Sequence, residues 1–476
     1  MVLTRSHPQR LKLALGLVVI LGAAWLSWLV PPIQSPDENA HFLRAYAIAQ
    51  GQPLLLALPK GFEYATDSQE IVQIVERAKR MPGRMGGFID VALLDFVDAH
   101  LALAGHPDKR LTQAEQERLA KLEWAGAKRF YLMPGTGYYL PAIYLPQAGA
   151  IAVGQAMHLT VLQSYRLARA LTLLTCLVVL YLAFSIHRPS PLAVALLVLP
   201  MSLFQLLMPT IDGLTNCLAV LALSLYRHTV GSAPRLSFGA SLSLSLCVFL
   251  LATSRTHLLP MLLLPLFVAW HGRWRWDVLL AGATTIAALA WTVFALQTTA
   301  DPRIAREHTT QHLLAHYLLD PIDFLQIVFA SLANTELSTF YERSFIGILG
   351  WLDTPLESYF YPLLWSGLLI CAAASVPWSA GRRDGMTRVV LALAAVISVA
   401  MIFLALLVTW SPHPATTVVG VQGRYFMIPM LVLAYAVSPI QWSAPTALRR
   451  LGRVAVSVLA LCSLTALTLA LLSRYH

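Results

Sequence analysis

Residues 388–410 read RVVLALAAVISVAMIFLALLVTW, and after Arg388 this stretch contains no charged side chain. An α-helix rises about 1.5 Å per residue, so about 20 apolar residues cross a hydrocarbon layer of about 30 Å. Apolar runs of about 18 to 25 residues recur along the whole chain, which is the length that a membrane crossing requires. These runs predict transmembrane helices, and not the buried helices of a soluble core.

The composition agrees with a membrane environment. Hydrophobic residues make up 57% of 476 positions and charged residues 12%, whereas soluble domains contain about 45–50% and about 25%. The net charge is +10, but the Lys and Arg residues form short clusters between apolar runs, so we expect no nucleic-acid partner. All five cysteines fall within apolar runs, and we therefore expect no disulfide framework.

We predict an all-α integral membrane protein with about eleven transmembrane helices and a helical first outer loop. The first run ends at Pro31-Pro32 without a small-residue cleavage site, so we expect an uncleaved helix and no signal peptide. The expected helices lie near residues 12–30, 165–186, 190–208, 212–228, 236–253, 257–271, 277–298, 357–378, 388–410, 425–439 and 452–472.

These helices divide the chain into five segments. Residues 1–30 contain the first transmembrane helix, and residues 31–163 form a first outer loop with surface or re-entrant helices. Residues 164–298 form a bundle of transmembrane helices, residues 299–356 a second outer loop, and residues 357–476 the C-terminal transmembrane helices. Within the first outer loop, the charged, amphipathic stretches Ser68–Arg80 and Thr112–Lys128 predict short helices over the membrane.

The positive charges predict the orientation of the chain. Alternate short connections are all basic, namely Arg188 and residues 227–235, 273–275, 382–388 and 449–453. Short loops rich in Lys and Arg stay in the cytoplasm, so we expect a cytoplasmic N-terminus and outer loops in the periplasm of a bacterial inner membrane. Residues 138–158 are apolar enough to cross but contain two prolines, so they are either a re-entrant helix pair or an ordinary span compensated by a second crossing near 322–340.

The first outer loop begins with Ser-Pro-Asp-Glu at residues 35–38, which has the form of a helical capping box. On the helix that follows, Asp37, His41 and Arg44 share one face. Asp37 either stabilises the helix dipole or removes a proton from an incoming hydroxyl group as a general base. Glu38 either completes the capping box or takes that catalytic role.

Other candidate residues lie on later outer edges of the predicted helices. Asp212 is the charged residue of a tight outward turn, and it either caps a helix or is a functional-site residue. Arg255 and Arg424 lie at the mouths of predicted helices, where a guanidinium group binds either lipid headgroups or a substrate phosphate. Two glycines near Gln422 allow the backbone to approach a ligand closely. The candidate substrate-binding residues are His41, Arg44, Gln147, Asp212, Arg255, His257, Asp353, Gln422, Arg424 and Tyr425.

Five motifs carry a resemblance to a known family: PPIQSPDENAHFLRAY, YLPQAGAIAVGQ, IDGLTN, GILGWLDT and VVGVQGRYF. Together they resemble an uncharacterised bacterial family of multi-span membrane proteins, a domain of unknown function, over nearly the whole chain. That family resembles the GT-C superfamily of integral-membrane glycosyltransferases. The resemblance implies a polyprenyl-phosphate-linked sugar donor, a glycan or lipid acceptor, and catalysis on the periplasmic side.

The resemblance also implies roles for individual residues. Asp37 or Glu38 matches the catalytic base in the first outer loop of such enzymes, and Asp212 a second acidic site that orients the acceptor or a divalent cation such as Mg or Mn. Family members often have a lysine near the turn occupied here by Ser254 and Arg255. The alternatives are an O-antigen ligase or polymerase that uses a lipid diphosphate donor, and a transporter, which would show inverted repeats and charges near mid-membrane.

Overall fold

The computed structural model describes residues 22 and 24–476, apart from 65–67, 233–236, 273, 306–307, 377–384 and 439–445. Most of the predicted first transmembrane helix, residues 12–30, lies outside the described residues, and residues 24–29 are helical. The described chain is mostly helical, as the sequence predicts.

The first outer segment contains short helices and three strands. Their bounds are α1 (Glu38–Ala49), β1 (Leu56–Ala57), α2 (Gln69–Arg80), β2 (Arg84–Asp90), α3 (Val91–Leu101), α4 (Gln113–Ala120), β3 (Lys128–Leu132) and α5 (Leu145–Ala156). Helices α2 and α4 confirm the helices predicted within Ser68–Arg80 and Thr112–Lys128. Ser68 and Thr112 cap them by accepting main-chain N–H groups of the first turn.

The remaining elements are longer helices and a two-stranded ribbon. Their bounds are α6 (Val161–Ile186), α7 (Pro191–Leu197), α8 (Pro200–Leu207), α9 (Ile211–Ser232), α10 (Phe238–Ser254), α11 (Leu263–Gly272), α12 (Arg275–Thr298), α13 (Thr310–Leu319), α14 (Pro321–Ala333), α15 (Thr335–Gly347), β4 (Ile348–Leu349), β5 (Thr354–Pro355), α16 (Phe360–Ser375), α17 (Gly385–Thr409), α18 (Met427–Val437) and α19 (Thr446–Tyr475). Short 3₁₀ helices at residues 134–138, 141–144, 256–262 and 423–426 join several of them.

The strands show that the all-α prediction was too narrow. Strand β2 pairs antiparallel with β1 on one side and with β3 on the other, with Gly86 opposite Leu132 and Asp90 opposite Lys128. The sequence of β2 contains two consecutive glycines, Gly86 and Gly87, and glycine disfavours strands because it has no side chain to pack. The pairing with strands that are distant in the sequence, and not the local sequence, determines this strand.

Among the described residues, four helices are long and apolar enough to cross a membrane, namely α6, α12, α17 and α19. Two bent pairs raise the number of candidate spans to six: α8 with α9, bent by 112°, and α13 with α14, bent by 99°. The predicted number of about eleven full spans is not confirmed. Prolines explain part of the difference: the predicted span at 190–208 is divided into α7 and α8, each of which begins with proline.

The four long helices leave most of their apolar side chains uncovered. Only 22–33% of each candidate span is buried within the chain, and large residues such as Tyr181 and Ile286 are mostly exposed. A soluble protein rarely exposes contiguous apolar surface on this scale. Lipid is the solvent that suits such helices, so the protein is a multi-pass membrane protein.

Charged residues from different helices meet at the two ends of the bundle. At one end of the bundle, Arg227 of α9 and Arg388 of α17 donate to the main-chain carbonyl groups of Ser438, Ala436 and Val437 after or at the end of α18. At the other end, Asp212 at the start of α9 lies 3.1 Å from Arg424, just before α18. Asp212 and Arg424 therefore lie at one end of α9 and α18, and Arg227 and Arg388, from two of the predicted basic connections, lie at the opposite end.

The proline-containing apolar segment 138–158 is not one of the candidate spans. A 3₁₀ turn at residues 134–138 leads into it, and it contains a second 3₁₀ turn at residues 141–144 and the 12-residue helix α5. Twelve residues rise about 18 Å, which is too short for a hydrocarbon core of about 30 Å. Helix α5 packs against α1 and α6, which agrees with a helix supported by protein at the edge of the bundle.

Candidate functional site

Four charged side chains from distant parts of the sequence form one connected group, which we call the ion-pair network. Arg424 donates through Nη2 to Asp37 at 2.8 Å and through Nη1 to Asp212 at 3.1 Å. Asp212 accepts from Arg255 with its other carboxylate oxygen. The network is Asp37, Arg424, Asp212 and Arg255, and its formal charges sum to zero.

A close packing of backbones places Arg424 in this network. The Gly423 N–H donates to the Ser344 hydroxyl at 2.8 Å, and a Cβ on Gly423 would overlap the main chain of Tyr341 and Phe345. Gly420 has a φ of 83°, and a side chain there would meet Trp410. The glycines near Gln422 allow close contact with protein, and the close approach of a ligand that the sequence predicts there stays a prediction.

Asp37 occupies an unusual backbone position at the start of α1. Its φ is 63° and its ψ is 3°, in the left-handed region that aspartate tolerates better than most residues. The side chain is 50% exposed, whereas Arg424 is 2% exposed. Burial disfavours ionisation of Asp37, but the positive charge of Arg424, the His41 and Arg303 side chains and the Arg424 hydrogen bond hold its pKa below the usual value.

Glu38 points away from Asp37 into the protein. It is 0% exposed and accepts hydrogen bonds from the Ser35 N–H at 2.8 Å and from the Tyr165 hydroxyl at 2.5 Å. Arg169 donates to the same hydroxyl at 2.5 Å and to the Val30 carbonyl at 3.0 Å. Burial raises the pKa of Glu38, although Arg169 and these hydrogen bonds oppose the shift. Glu38 thus ties the start of α1 to α6.

His41 lies beside the ion-pair network, and Arg44 does not. His41 is buried, its Nδ1 lies 2.8 Å from the Tyr144 hydroxyl, and its ring stacks on Tyr139. Burial lowers the pKa of His41 to about 4 despite the nearby charge of Asp212. Arg44 is buried too, but it donates to the carbonyl groups of Gln52 and Pro53 at 3.3 and 2.5 Å, where it holds the turn after α1.

An apolar cavity of about 270 Å³ adjoins the network. Arg255 lines it and lies over the rings of Tyr139 and Tyr425, at 5.3 and 5.8 Å from their centres. Of the network residues, only Arg255 is part of the lining. The other lining residues are mainly apolar side chains of α12, α13 and α17, together with Tyr138, Thr256, His257, Leu259, Thr292, Thr310 and Gln311.

Sequence analysis missed Arg303, which lies within electrostatic range of Asp37 and Tyr139. Its guanidinium group donates to Asp301 through Nε at 2.9 Å and Nη2 at 2.6 Å, and it lies 4.9 Å from the Trp410 ring centre. Arg303 follows α12 in a segment with no apolar periodicity. The one available signal was a basic residue shortly after a predicted outer helix end.

The remaining predicted residues occupy separate places. Gln147 is buried in α5 and donates to the Thr210 carbonyl at 3.1 Å, close in sequence to Asp212. Gln422 lines a smaller recess of about 180 Å³ beside Tyr341. Asp353 lies apart from the network: it accepts from Arg474 at 3.3 Å and from the Gly105 N–H at 3.0 Å.

The divalent cation that the resemblance implies near Asp212 stays a prediction. The described residues contain no group of three or more His, Cys, Asp or Glu side chains positioned to hold a metal. In the network, both carboxylate oxygens of Asp212 accept hydrogen bonds from arginine. Two guanidinium groups in these positions repel a cation and satisfy the oxygens that Mg or Mn would need.

Comparison with known proteins identifies a family. Residues 19–434, which include all of the network, match the family described as predicted membrane protein (DUF2142). Searches of curated proteins and of solved structures give no significant match to this chain. The matched region covers most of the sequence, and the protein therefore belongs to the DUF2142 family of membrane proteins.

Proposed function

We propose that this protein is a membrane glycosyltransferase. It would transfer a sugar from a polyprenyl-phosphate carrier to a cell-envelope glycan or lipid acceptor, with the chemistry of the GT-C superfamily that its motifs resemble. One observation carries the proposal: a half-exposed carboxylate, Asp37, is held by an arginine next to an apolar cavity at a helix-bundle end. A base, phosphate-binding cations and space for a lipid tail are what this transfer requires.

In the proposed step, Asp37 acts as the general base. The acceptor hydroxyl gives its proton to the Asp37 carboxylate while its oxygen forms a bond to the anomeric carbon of the sugar. The bond between that carbon and the phosphate oxygen breaks, and its electron pair leaves with polyprenyl phosphate. The configuration at the anomeric carbon is inverted, because attack and departure occur on opposite faces.

Arg424 and Arg255 would stabilise the charge that develops on the leaving phosphate. Both are largely buried, with 2% and 11% of their side chains exposed, and preorganised donors act most strongly where water is excluded. The same arrangement would regulate the base. A phosphate near Arg424 offsets the positive charge that lowers the pKa of Asp37, so donor binding would make Asp37 a stronger base.

The apolar cavity suits the isoprenoid end of such a donor. Its walls come from α12, α13 and α17, and polar groups such as Arg255 and His257 lie on one side. A tail in contact with these walls would leave its headgroup near the network. Glu38 would not meet either substrate, because it is buried and already bonded, so the base is Asp37 alone and Glu38 holds it in position.

We further propose that the network faces the periplasm of a bacterial inner membrane, and that the shorter apolar helices complete about eleven crossings. The support is the positive-inside rule applied to the basic connections at the opposite end of the bundle. Reporters inserted at Gln311 should report the periplasm, and reporters fused after Arg275 should report the cytoplasm. The reverse result would place the network on the cytoplasmic side and exclude a periplasmic acceptor.

The decisive experiment compares two neighbouring variants in an assay with purified polyprenyl-phosphate sugar or by glycan analysis. Asp37→Asn keeps nearly the same shape but is a poor base, so transfer should fall about 10²–10⁴-fold with normal membrane accumulation. Glu38→Gln is the matched control and should have a milder effect on transfer. Near-normal transfer by Asp37→Asn would remove Asp37 as the base, and an equal loss of transfer in Glu38→Gln would show that the position of α1, and not proton transfer to Asp37, limits the reaction.

A further inference from the structure

Three arginines surround Asp37, and they differ in how available they are to an incoming anion. Arg424 is 2% exposed, Arg255 is 11% exposed and Arg303 is 33% exposed. Arg424 and Arg255 are both engaged with the carboxylates of the ion-pair network. Arg303 is therefore the most accessible of the three arginines to a phosphate that approaches from outside the protein.

Arg303 is also held in a fixed orientation. Its Nε and Nη2 groups donate to the two oxygens of Asp301, and its plane lies against Trp410. Arg77 of α2 donates to the carbonyl groups of Pro302 at 2.7 Å and Arg303 at 3.2 Å. Ordering the side chain in advance reduces the entropy lost when it binds a ligand.

One edge of this guanidinium group remains available for a ligand. Within the described part of the chain, Nη1 of Arg303 donates to no acceptor, whereas Nε and Nη2 are bonded to Asp301. Nη1 carries two N–H groups, and arginine binds phosphate oxygens with charge-assisted hydrogen bonds. Arg303 is not part of the cavity lining, but it lies within electrostatic range of Tyr139, which lines the cavity, and against Trp410, which follows the lining residue Thr409.

We propose that Arg303 binds the phosphate of the isoprenoid carrier at the outer side of the cavity, before the headgroup reaches Arg255 and Arg424. This inference rests on the proposed function, because it assumes a lipid-linked phosphate donor. The shared chemistry is a phosphate-ester oxyanion, which ordinary phospholipids and free phosphate also offer. The role of Arg303 is to bind and position the donor, and it takes no part in proton transfer.

The test measures binding and not transfer. Purified full-length protein in phosphatidylcholine nanodiscs is titrated with undecaprenyl phosphate and, separately, with uncharged undecaprenol. Arg303→Gln should weaken binding of the phosphate about ten- to a hundredfold, the usual effect of losing a hydrogen bond to a charged group. Binding of undecaprenol should not change. Arg303→Lys should lie between, because lysine keeps the charge but loses the planar fork.

Three further variants test the position of Arg303 and control for folding and for charge. A Cβ on Gly135 would lie 2.7 Å from Arg303 Nη2, so Gly135→Ala should displace the guanidinium group from its fixed orientation and weaken phosphate binding. Gly149→Ala has open space and should bind normally. Arg80→Gln removes an exposed positive charge at the end of α2 and should also leave binding unchanged.

The outcomes separate this inference from the proposed function. If wild-type protein binds undecaprenyl phosphate and Arg303→Gln binds it equally well, the role of Arg303 is overturned and the glycosyltransferase proposal stands. If wild-type protein does not prefer the phosphate to undecaprenol, both proposals are overturned. Displacement of the carrier by inorganic phosphate or by an equal amount of phosphatidylglycerol would also overturn the inference, because Arg303 would then bind any phosphate.

Discussion

Two arginine–aspartate sites of this protein differ in what surrounds the carboxylate. In the first, Arg424 holds Asp37, which is half-exposed and lies near an apolar cavity. In the second, Arg474 of α19 holds Asp353, and both side chains are buried. Asp353 also accepts from the main-chain N–H groups of Gly105 at 3.0 Å and Trp351 at 3.1 Å. We call these the open site and the closed site.

The closed site is complete without a ligand. Arg474 donates to the carbonyl groups of Leu103 at 2.6 Å and Pro107 at 3.2 Å, so it ties the C-terminal helix to the first outer segment. The sequence predicts functional roles for both aspartates, a catalytic role for Asp37 and a substrate-binding role for Asp353, since both are acidic residues on predicted outer loops. The difference teaches that the solvent exposure of a carboxylate, and not its residue type or loop, separates a candidate reactive group from a structural one.

The largest expected effect is the loss of unfolding free energy when the arginine of each site, Arg474 or Arg424, is replaced by methionine. Arg474→Met leaves Asp353 buried without its cation and removes the donor to Leu103, and breaking a buried pair costs about 3–5 kcal/mol. Arg424→Met should cost less, because Asp37 is half-exposed and Asp212 keeps its bond to Arg255. Denaturation in detergent measures the free energy of unfolding. Sugar transfer per folded molecule should show the opposite order, with the larger loss in Arg424→Met. Equal losses of stability would abolish the distinction between the sites.

Much of the open site was predictable from the sequence. Asp37, Asp212, Arg255 and Arg424 each lie where an apolar run meets a predicted outer loop, and the positive-inside rule places those ends on one side. Residues at the same end of a helix bundle can lie close together even when they are far apart in the sequence. The starts of α2 and α4 were also predictable, because Ser68 and Thr112 are local capping residues whose effect does not depend on the rest of the fold. The predicted stretch Thr112–Lys128 extends beyond the end of α4 at Ala120, and Lys128 begins β3.

The remainder depends on contacts between distant residues. Arg474 and Asp353 are 121 positions apart, and nothing in either local sequence identifies the partner. Strand β2 exists because β1 and β3 pair with it, although its glycines disfavour a strand. Arg303 has no periodic context, and its proximity to Asp37 arises only when the second outer segment packs near α1.

A second prediction compares a glycine at each site. A Cβ on Gly423 would overlap the main chain of Tyr341 and Phe345, and one on Gly350 would meet Asp353 and Thr354. Overpacking costs about 1–3 kcal/mol, so both Gly423→Ala and Gly350→Ala should lower the free energy of unfolding. Only Gly423→Ala should also reduce transfer per folded molecule, because it displaces the neighbouring Arg424. Equal transfer by the two variants would show that the position of Arg424 does not matter.

The third prediction concerns pH and uses two buried histidines, His41 beside the open site and His100 in α3. Burial lowers the pKa of both His41 and His100 to about 4. The unfolded chain takes up these protons below about pH 6.5 and the folded chain does not. The contribution of each neutral histidine to the free energy of unfolding is therefore complete above pH 6.5 and is lost as the pH falls towards 4. At pH 5 the free energy of unfolding has fallen by about 2 kcal/mol for each residue.

The charged neighbours differ between these two histidines. His41 faces Asp37, Asp212, Arg255 and Arg424, whereas His100 is influenced by Arg169. Unfolding measured at pH 7 and pH 5 should show a smaller pH dependence in His41→Gln and in His100→Gln than in the wild-type protein. Asp37 does not contribute in this range, because its lowered pKa makes its stabilising effect disappear only in more acidic solution. An unchanged slope in both variants would contradict the assignment.

The smallest expected effect tests what fixes the start of α1 at the open site. The sequence predicts a capping box at Ser35 and Glu38, but only the Glu38 half forms, since Glu38 accepts the Ser35 N–H and Asp37 stands at the N-cap. Helix α6 has a complete box, in which the Thr160 hydroxyl accepts the Gln163 N–H and the Gln163 side chain accepts the Thr160 N–H.

Thr160→Ala should therefore cost about 1 kcal/mol of unfolding free energy. Ser35→Ala should cost less than about 0.5 kcal/mol, because the main-chain N–H that Glu38 binds remains. A cost for Ser35→Ala equal to that for Thr160→Ala would mean that the serine hydroxyl, and not Glu38, fixes the backbone that presents Asp37.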